Sequence, residues 1–247
     1  IVVCIAMMVP TVAFAATSSP TKVNVKSATA KSLTYNAKSQ TTTIVVNGKT
    51  LTLNKDFKVV SGSLKATKAG TYTVKIKGIG NYSGDTTVKY TVNAQQSYKA
   101  TAAAKTYNAK NQTTKVTVKY GNTVLKRGTD YKITGVTRAK NAGKYKVTVK
   151  GINNYKGTKT IYYTINKAAQ KSVKVKVNAS KKKITVSGVK AKAKVTYKSA
   201  NKKVKVKNGK ITVGKGVKKG TKVRITVKVA ATKNYKAYSK SIIYKVK

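Results

Sequence analysis

Residues 141–157 read NAGKYKVTVKGINNYKG, and this stretch holds the pattern that decides the fold. Tyr145, Val147 and Val149 alternate with lysine and threonine, so apolar and polar side chains point to opposite faces of an extended chain. A period of two is typical of a β-strand with one face buried and the other in water. The stretch therefore predicts a half-buried strand followed by a turn at Asn154-Tyr-Lys-Gly157.

A closely similar stretch occurs earlier in the chain. Residues 69–84 read AGTYTVKIKGIGNYSG, and the tetrapeptide TYNA occurs at both 34–37 and 106–109. Matching positions are separated by 72 to 74 residues throughout. A constant separation of this kind indicates that one structural unit is repeated in tandem.

The repeat determines the predicted domain plan. A third unit keeps Lys233-Asn-Tyr-Lys236 near its end, but it lacks the TYNA start and the aspartate of the two repeats. The segments between units are short and polar, which is typical of tight joints rather than flexible linkers. The predicted divisions are a signal peptide at 1–15, an N-terminal linker at 16–27, repeat one at 28–94, repeat two at 98–166 and a divergent third domain at 168–247.

The period of two continues through the third unit, and the turn signals agree with it. Val173–Val177 and Val223–Val229 alternate valine or isoleucine with basic residues or threonine. Asn47-Gly48 accepts the positive φ angles of a type I′ hairpin turn, and Gly121-Asn122 takes that place in repeat two. No amphipathic helical stretch follows the N-terminal segment. We therefore expect an all-β protein of antiparallel β-sandwich domains in tandem.

The N-terminal segment has the composition of a signal peptide. Residues 1–15 read IVVCIAMMVPTVAFA, an uncharged apolar run that ends in Ala13-Phe-Ala15 with small residues at both cleavage-site positions. There is no starting Met and no basic n-region, so we expect the sequence to begin inside the signal peptide; the alternative is a buried strand or core helix. Cys4 lies in the apolar run, so the exported chain would contain no disulfide. This segment predicts a secreted, extracellular location.

The charge balance excludes most enzyme classes. The chain has 54 lysine and arginine residues, three acidic residues and no histidine, for a formal net charge of +51. General acid–base catalysis draws mainly on His, Asp and Glu, and metal sites on His, Cys and carboxylates. We therefore predict no enzyme activity, no cofactor and no metal site.

The lysines are the strongest signal of function. A role in solubility explains their alternation with apolar residues but not the near absence of acids, because soluble surfaces normally mix both signs. Such a surface is expected to bind polyanions in a salt-dependent, sequence-independent manner. Lysine outnumbers arginine by 51 to 3, which argues against bidentate base or phosphate recognition. The expected partners are anionic polymers: teichoic acids, extracellular DNA or acidic glycans, with no sequence-specific recognition of nucleic acid.

The third domain is the predicted centre of this binding. It contains about half of the basic residues and no acidic residue. Lysines that alternate with buried valine or isoleucine must project from one sheet face, so we expect them to form rows. The candidate residues are Lys174, Lys176, Lys181, Lys182, Lys183, Lys205, Lys207, Arg224 and Lys228.

Several of these motifs resemble a known group of domains. The run YNAKxQT, then GTDY at 128–131 and the stretch at 141–157, resemble the immunoglobulin-like repeats of secreted and cell-wall proteins of Gram-positive bacteria, notably Clostridia. The third unit, with NGKITV at 208–213, is similar to a second kind of bacterial immunoglobulin-like domain. The resemblance implies immunoglobulin-like sandwiches that serve as stalks, spacers or adhesive units. The near absence of acids departs from that pattern.

Four residues are predicted to have structural roles. Tyr72 and Tyr145 begin strands, where a corner tyrosine bonds its hydroxyl to nearby backbone; the alternative is an aromatic ligand platform. Asp56 and Asp130 occupy equivalent positions just before a strand, where a carboxylate accepts backbone N–H bonds in a turn. The alternatives for these aspartates are a pair with a neighbouring lysine or promotion of a Lys–Asn isopeptide crosslink, which needs a buried carboxyl group.

The sequence thus favours an exported, non-catalytic surface or cell-wall protein that uses lysine-covered faces to attach to anionic polymers. One alternative is a dedicated polyanion-binding protein, such as a protein that holds DNA in a biofilm matrix. Another is the accessory repeat region of a larger cell-wall enzyme.

Overall fold

The computed structural model describes residues 21–247, and this part of the chain consists of β-strands, turns and loops. The predicted signal peptide at 1–15 and the start of the predicted linker lie outside the described residues. Within 21–247 the helical elements are two single 3₁₀ turns, Val25–Ser27 and Lys190–Lys192. No helix in this range is long and apolar enough to cross a bilayer. The prediction of an all-β protein is confirmed.

The chain divides into two compact units with the boundary between Gln95 and Gln96. The first unit corresponds to repeat one, and the second holds repeat two and the third domain. Every sheet of the second unit takes its strands either from residues 99–166 or from residues 174–245. The further division of the second unit into two domains stays a prediction.

The first unit contains two long strands among several short ones. The long strands are those in which the alternation of apolar and polar residues is most regular. The strands are β1 (Val23–Asn24), β2 (Thr29–Ala30), β3 (Leu33–Thr34), β4 (Gln40–Thr41), β5 (Ile44–Val46), β6 (Lys49–Thr50), β7 (Phe57–Gly62), β8 (Lys65–Ala66), β9 (Gly70–Gly78), β10 (Tyr82–Ser83) and β11 (Asp85–Asn93).

Two sheets enclose the core of the first unit. One has the strand order β3-β11-β9-β7, and the other has the order β2-β5-β6. Val74 and Ile76 of β9 are fully buried in the same cluster as Ile44 and Val46 of β5, while the lysines of β9 face water. Full burial of one such side chain stabilises the fold by roughly 1.5–3 kcal/mol, so alternation along the strands supplies most of the stability.

The predicted N-terminal linker requires a correction at its C-terminal end. Val23–Asn24 forms a strand that pairs in parallel with Tyr82–Ser83, and Val25 is fully buried in the core of the first unit. These residues belong to the folded unit because the pairing satisfies edge backbone groups of β10 and the Val25 side chain leaves water. Residues 23–25 are too few to show an alternating pattern, so the sequence did not distinguish a strand from a linker there.

Repeat two has the same sheet architecture as repeat one. Its sheets have the orders β13-β20-β19-β17, β12-β15-β16 and β14-β18, and each has an equivalent in the first unit. This correspondence is what the repeated motifs predict. The strands are β12 (Lys99–Ala102), β13 (Lys105–Thr106), β14 (Gln112–Thr113), β15 (Val116–Tyr120), β16 (Thr123–Val124), β17 (Tyr131–Gly135), β18 (Arg138–Ala139), β19 (Gly143–Gly151) and β20 (Thr158–Asn166).

Both predicted hairpins are confirmed. Asn47 and Gly48 have φ angles of 49° and 79°, so both central residues take the positive values of a type I′ turn between β5 and β6. Gly121 has a φ of 55° at the turn between β15 and β16. A positive φ at the first central residue is the requirement of a type II′ turn, which glycine meets at no steric cost.

The third domain is a sandwich of a four-stranded and a three-stranded sheet. The sheets have the orders β21-β22-β25-β24 and β23-β26-β27, and both contribute to one core. Ile184 and Ile211 of the first sheet lie in the same buried cluster as Ile225 and Val227 of the second. The strands are β21 (Lys174–Asn178), β22 (Lys183–Ser187), β23 (Val195–Ser199), β24 (Val204–Lys207), β25 (Lys210–Val213), β26 (Lys222–Val229) and β27 (Tyr238–Lys245).

Parallel pairs are the one departure from antiparallel pairing. Strand β3 pairs in parallel with β11, and β13 pairs in parallel with β20. In each repeat a short early strand lies beside the last strand, runs in the same direction and forms one edge of the four-stranded sheet. The longer strands pair antiparallel, and the predicted all-β class of antiparallel β-sandwiches is confirmed.

Side-chain contacts join the two halves of the second unit. The Asn234 amide group donates to Asn141 Oδ1 at 3.0 Å, and its Oδ1 accepts from the Ala142 N–H at 2.8 Å. Tyr107 and Tyr235 meet edge to face, with ring centroids 5.4 Å apart. Paired amides and an edge-to-face ring contact fix orientation as well as distance, so the Asn-Tyr motif of the third domain links it to repeat two.

Tyr98 has a buried hydroxyl group in the second unit. The side chain is 1% exposed, and its hydroxyl donates to the Gly157 carbonyl at 2.8 Å and accepts from the Gly151 N–H at 3.1 Å. Burial raises the pKa of Tyr98 above its usual value of 10.0, and the Gly151 hydrogen bond opposes part of that rise. The neutral hydroxyl is therefore the form that the folded protein holds.

We predict that Tyr98→Phe lowers the free energy of unfolding by about 1–2 kcal/mol at pH 8, because a buried hydrogen-bonded hydroxyl is lost. In the unfolded chain Tyr98 ionises near pH 10, so its stabilising contribution is complete below that pH and is lost as the pH rises toward the higher folded pKa. The penalty of the substitution should therefore be smaller at pH 11, measured by urea unfolding at both pH values.

The matched control is Tyr162→Phe, because the Tyr162 side chain is 51% exposed. Its effect should stay within about 0.5 kcal/mol at both pH values. A Tyr98→Phe penalty that grows between pH 8 and pH 11 would contradict the prediction.

Candidate cationic surface

The strands of the third domain place the predicted basic residues in water. Strand β21 buries Val175 and half-buries Val177, so Lys174 and Lys176 project from its other side. The same alternation exposes basic residues on β22, β24 and β26. All nine candidates are exposed: Lys174, Lys176, Lys181, Lys182, Lys183, Lys205, Lys207, Arg224 and Lys228.

The candidates lie on two faces of the sandwich, because the strands that carry them belong to both sheets. Both sheets bury their inner faces in one core, so their outer faces point to opposite sides of the sandwich. We call the outer face of the four-stranded sheet the lysine face and that of the three-stranded sheet the arginine face. The lysine face carries Lys174, Lys176, Lys183, Lys205, Lys207 and Lys210. The arginine face carries Lys198, Lys222, Arg224, Lys228 and Lys245.

Three lysines form a row across adjacent strands of the lysine face. Lys183 of β22 lies opposite Lys210 of β25, and Lys210 lies opposite Lys207 of β24. Lys210 is the central member of this row and was missed as a candidate. The alternation of Lys210-Ile-Thr-Val213 already indicated an exposed lysine, but not that β25 lies between β22 and β24.

Backbone bonding brings the first two lysines of the row especially close. The Ile184 N–H donates to the Gly209 carbonyl at 2.7 Å, and the Ile211 N–H donates to the Lys182 carbonyl at 2.8 Å. These bonds flank the lysine pair, which makes it a non-hydrogen-bonded pair of the antiparallel ladder. In such pairs the Cα atoms are about 4.5 Å apart, and the side chains are closer than in hydrogen-bonded pairs.

The lysine row has partial equivalents in the repeats. In repeat one, Lys77 lies opposite Lys58 on one side and Asp85 on the other. In repeat two, Lys150 lies between Lys132 and Thr158. Like charges directly opposite each other destabilise a sheet, and an acid in the row offsets that effect. The third domain has no acid to place there, so its row concentrates positive charge.

The arginine face spreads its charges more widely. Arg224 lies opposite Ile243, and Lys228 lies opposite Ser239 and Thr196. Lys222 lies opposite Lys245, so this face holds one like-charged pair, whereas the lysine face holds a row of three lysines. The lysine face consequently has the higher local density of positive charge.

The lysines between β21 and β22 form the tip of a hairpin. The Lys181 N–H donates to Asn178 Oδ1 at 2.9 Å, and Lys182 has a φ of 47°. A left-handed conformation is uncommon for a residue with a side chain, and here the turn imposes it. Both side chains project into water just before β22, which begins at Lys183.

Asp56 and Asp130 make identical turn contacts. Asp56 Oδ2 accepts from the Thr52 N–H at 2.8 Å, and Asp130 Oδ2 accepts from the Lys126 N–H at 2.8 Å. In both turns the aspartate N–H returns a bond of 2.8 Å to the carbonyl of that same partner. Each carboxylate closes the loop before its strand and is only partly buried. An isopeptide crosslink would need a buried carboxyl group, so this geometry does not favour it.

Tyr72 and Tyr145 also make identical contacts. The Tyr72 hydroxyl donates to the Lys68 carbonyl at 2.8 Å, and that of Tyr145 donates to the Asn141 carbonyl at 2.7 Å. Each ring stacks on a buried tyrosine of the neighbouring strand, Tyr90 or Tyr163, at a centroid distance of 5.2 Å. Burial and the adjacent tyrosine raise the pKa of both Tyr90 and Tyr163. These rings face neighbouring side chains rather than an open ligand platform.

The described residues offer little else for binding chemistry. In the range 21–247 no group of three or more His, Cys, Asp or Glu side chains is placed to hold a metal ion. One cleft of about 380 Å³ in the second unit is lined by Tyr107, Tyr235, Lys171 and Lys190, among others. It combines aromatic and cationic side chains.

Comparisons with known proteins give a likeness of fold. No protein-family profile matches the chain, and no curated protein matches it. Domains EC1–4 of Drosophila N-cadherin share 11% identity over 89% of this chain and 73% of that chain, with a TM-score of 0.26. The three N-terminal domains of the Highly Immunogenic Outer Capsid protein of bacteriophage RB49 share 12% identity over 89% and 97%, with a TM-score of 0.34.

Extracellular domains 3–5 of Drosophila OTK share 9% identity over 94% of this chain and 99% of that chain, with a TM-score of 0.30. At these identities and scores the likeness carries no argument about activity or partners. The class that the fold and the surface define is an array of antiparallel β-sandwiches with exposed lysine rows.

We predict that Asp56→Asn and Asp130→Asn each lower the free energy of unfolding by about 1 kcal/mol or less, because an amide oxygen still accepts the backbone bond more weakly. Denaturant unfolding measures the change. Asp85→Asn is the matched control, since Asp85 lies on a strand opposite Lys77 and closes no turn. A mass deficit of one ammonia or water in the wild type that disappears on substitution would instead show a crosslink.

Proposed function

We propose that this chain is an exported, non-catalytic surface protein whose immunoglobulin-like modules act as a stalk or adhesion unit and attach to anionic polymers. The third domain supplies most of the attachment. The proposed partners are anionic polymers of a Gram-positive cell envelope or its surroundings. They include teichoic acid, extracellular DNA and acidic glycans. The resemblance of the repeats to bacterial immunoglobulin-like domains supports the location.

The observation that carries the proposal is the lysine row of the third domain. Lys183, Lys210 and Lys207 lie directly opposite one another on three adjacent strands without an acid beside them. Their repulsion is a cost to folding that a solubility role does not require, since dispersed charges keep a protein soluble equally well. An anionic partner placed over the row would turn that repulsion into attraction.

The proposed binding mechanism is electrostatic and involves no chemical reaction. Lysine ammonium groups replace the counterions that a polyanion has condensed, and the release of those ions drives binding. Each lysine acts as a mobile point charge on a flexible stem and makes no bidentate contact. Affinity should therefore depend on the density and placement of charge and hardly on the sequence of the polymer.

We predict that affinity for anionic polymers collapses as salt rises. With about five ammonium–phosphate contacts, the logarithm of the binding constant should fall against the logarithm of salt concentration with a slope near −4. Fluorescence anisotropy of a labelled DNA probe between 50 and 200 mM NaCl measures the slope.

A neutral glycan of similar length is the control and should not bind. Affinity for that glycan that persists in molar salt would overturn the electrostatic mechanism and point to the tyrosine-lined cleft at Tyr107 and Tyr235.

A further inference from the structure

We propose that attachment takes place on the lysine face alone, centred on the Lys183–Lys210–Lys207 row, and that the ligand of this face is a flexible, single-chain phosphodiester polymer. The inference rests on the proposed function and narrows it to one side of the sandwich and one kind of ligand. The arginine face then contributes to solubility and not to specific attachment.

The lattice of charges on the lysine face is dense in two directions. Neighbouring strands lie about 4.8 Å apart, and alternate residues along a strand lie about 6.7 Å apart. Lys205 extends the row along β24, and Lys174 and Lys176 continue the face on β21. These spacings are shorter than the screening length of about 8 Å at physiological salt, so the fields of neighbouring lysines add.

The turn between β24 and β25 holds the row in register. Asn208 and Gly209 have φ angles of 49° and 79°, the pair of positive values that defines a type I′ turn. A side chain at Gly209 would collide with the carbonyl oxygen of Ile184 on β22. Glycine thus lets the hairpin close while β25 pairs with β22, and this places Lys210 between the other two lysines.

The uncharged residues of the lysine face indicate which part of the ligand this face contacts. Between the lysines lie Asn178, Thr185, Ser187 and Thr212, which are short polar side chains. The outward positions of β21, β22, β24 and β25 include no aromatic ring on which a base or sugar could stack. The ligand is therefore contacted through its charged backbone only.

A flexible chain suits this face better than a duplex does. A duplex holds its phosphates at fixed positions on a curved surface, whereas the sheet face presents its charges as a lattice across four strands. A single chain can bend until successive phosphates lie between lysines, and the ammonium groups on their long stems can follow. Lysine is well suited to such contacts because it binds phosphate as a point charge without a required angle.

The test compares two triple variants of the full chain that each lose three positive charges. The lysine-face variant is Lys183→Gln/Lys207→Gln/Lys210→Gln. The arginine-face variant, Lys222→Gln/Arg224→Gln/Lys228→Gln, is the matched control. The probes are a labelled 30-nucleotide oligothymidine and a duplex of equal length, titrated from 50 to 200 mM NaCl.

We expect the lysine-face variant to lose at least about tenfold in affinity for oligothymidine at 50 mM NaCl and to reduce the salt slope by about 2, since each single-strand contact contributes about 0.7. The arginine-face variant should change the slope by less than about 0.7, the value of one contact. The wild type should bind oligothymidine more tightly than the duplex.

Each contrary result has a distinct meaning. Equal losses in the two variants would overturn the assignment to one face and leave the proposed function standing. Tighter binding of the duplex would overturn the flexible-chain ligand. A wild type that binds neither probe nor any other polyanion at 50 mM NaCl would refute the proposed function itself.

Folding of the lysine-face variant is checked by thermal unfolding. Removal of directly opposed like charges should leave its melting temperature equal to or above that of the wild type. If the triple variant does not fold, Lys210→Gln alone removes the central charge of the row. Its salt slope should then fall by about 0.7, and no change would count against the proposal.

Discussion

The burial of one face of every sheet against another is the constraint on which this structure depends. A chain with a net charge of +51 repels itself in the compact state, and its described part has no disulfide-forming residue to oppose that repulsion. Stability must come from valine, isoleucine and tyrosine side chains such as Val74, Val147 and Ile225, each fully buried. Strict alternation along the strands allows the lysines to reach water without interrupting these cores.

Alternation also marks the limit of what the sequence could predict. A period of two assigns each residue to one side of its strand. Together with the turn residues Asn47-Gly48 and Gly121-Asn122, this was enough for the all-β class, the two hairpins and the exposure of the candidate basic residues on the strands. It does not assign a strand to a sheet. The separation of Lys205 and Arg224 onto opposite faces, and the position of Lys210 between two other lysines, depend on pairing between distant strands. The short pairing of Val23–Asn24 escaped detection for a similar reason, because two residues show no period.

The two repeats share one architecture, and the third domain is a sandwich with a different strand order and a different pattern of surface charge. Asp56 and Asp130 hold equivalent turns by identical contacts, and Tyr72 and Tyr145 hold equivalent corners. Asp85 places a negative charge beside Lys77 in repeat one, whereas the third domain surrounds Lys210 with lysines only. The frame of contacts that the two repeats share thus tolerates a change of charge on the outer face, where Asp85 lies opposite Lys77 in repeat one and Thr158 lies opposite Lys150 in repeat two.

The turn at Asn208-Gly209 shows that surface charge in this protein is a property of strand register as well as of composition. If β25 slipped by one residue, Ile211 would face water and Lys210 would face the core. A chain with the same amino-acid content and the same net charge would then present a different electrostatic pattern. Gly209, which has no side chain and no charge, therefore helps to set the pattern of positive charge on the surface. Chains of this type could diverge in partner preference without gaining or losing a single lysine.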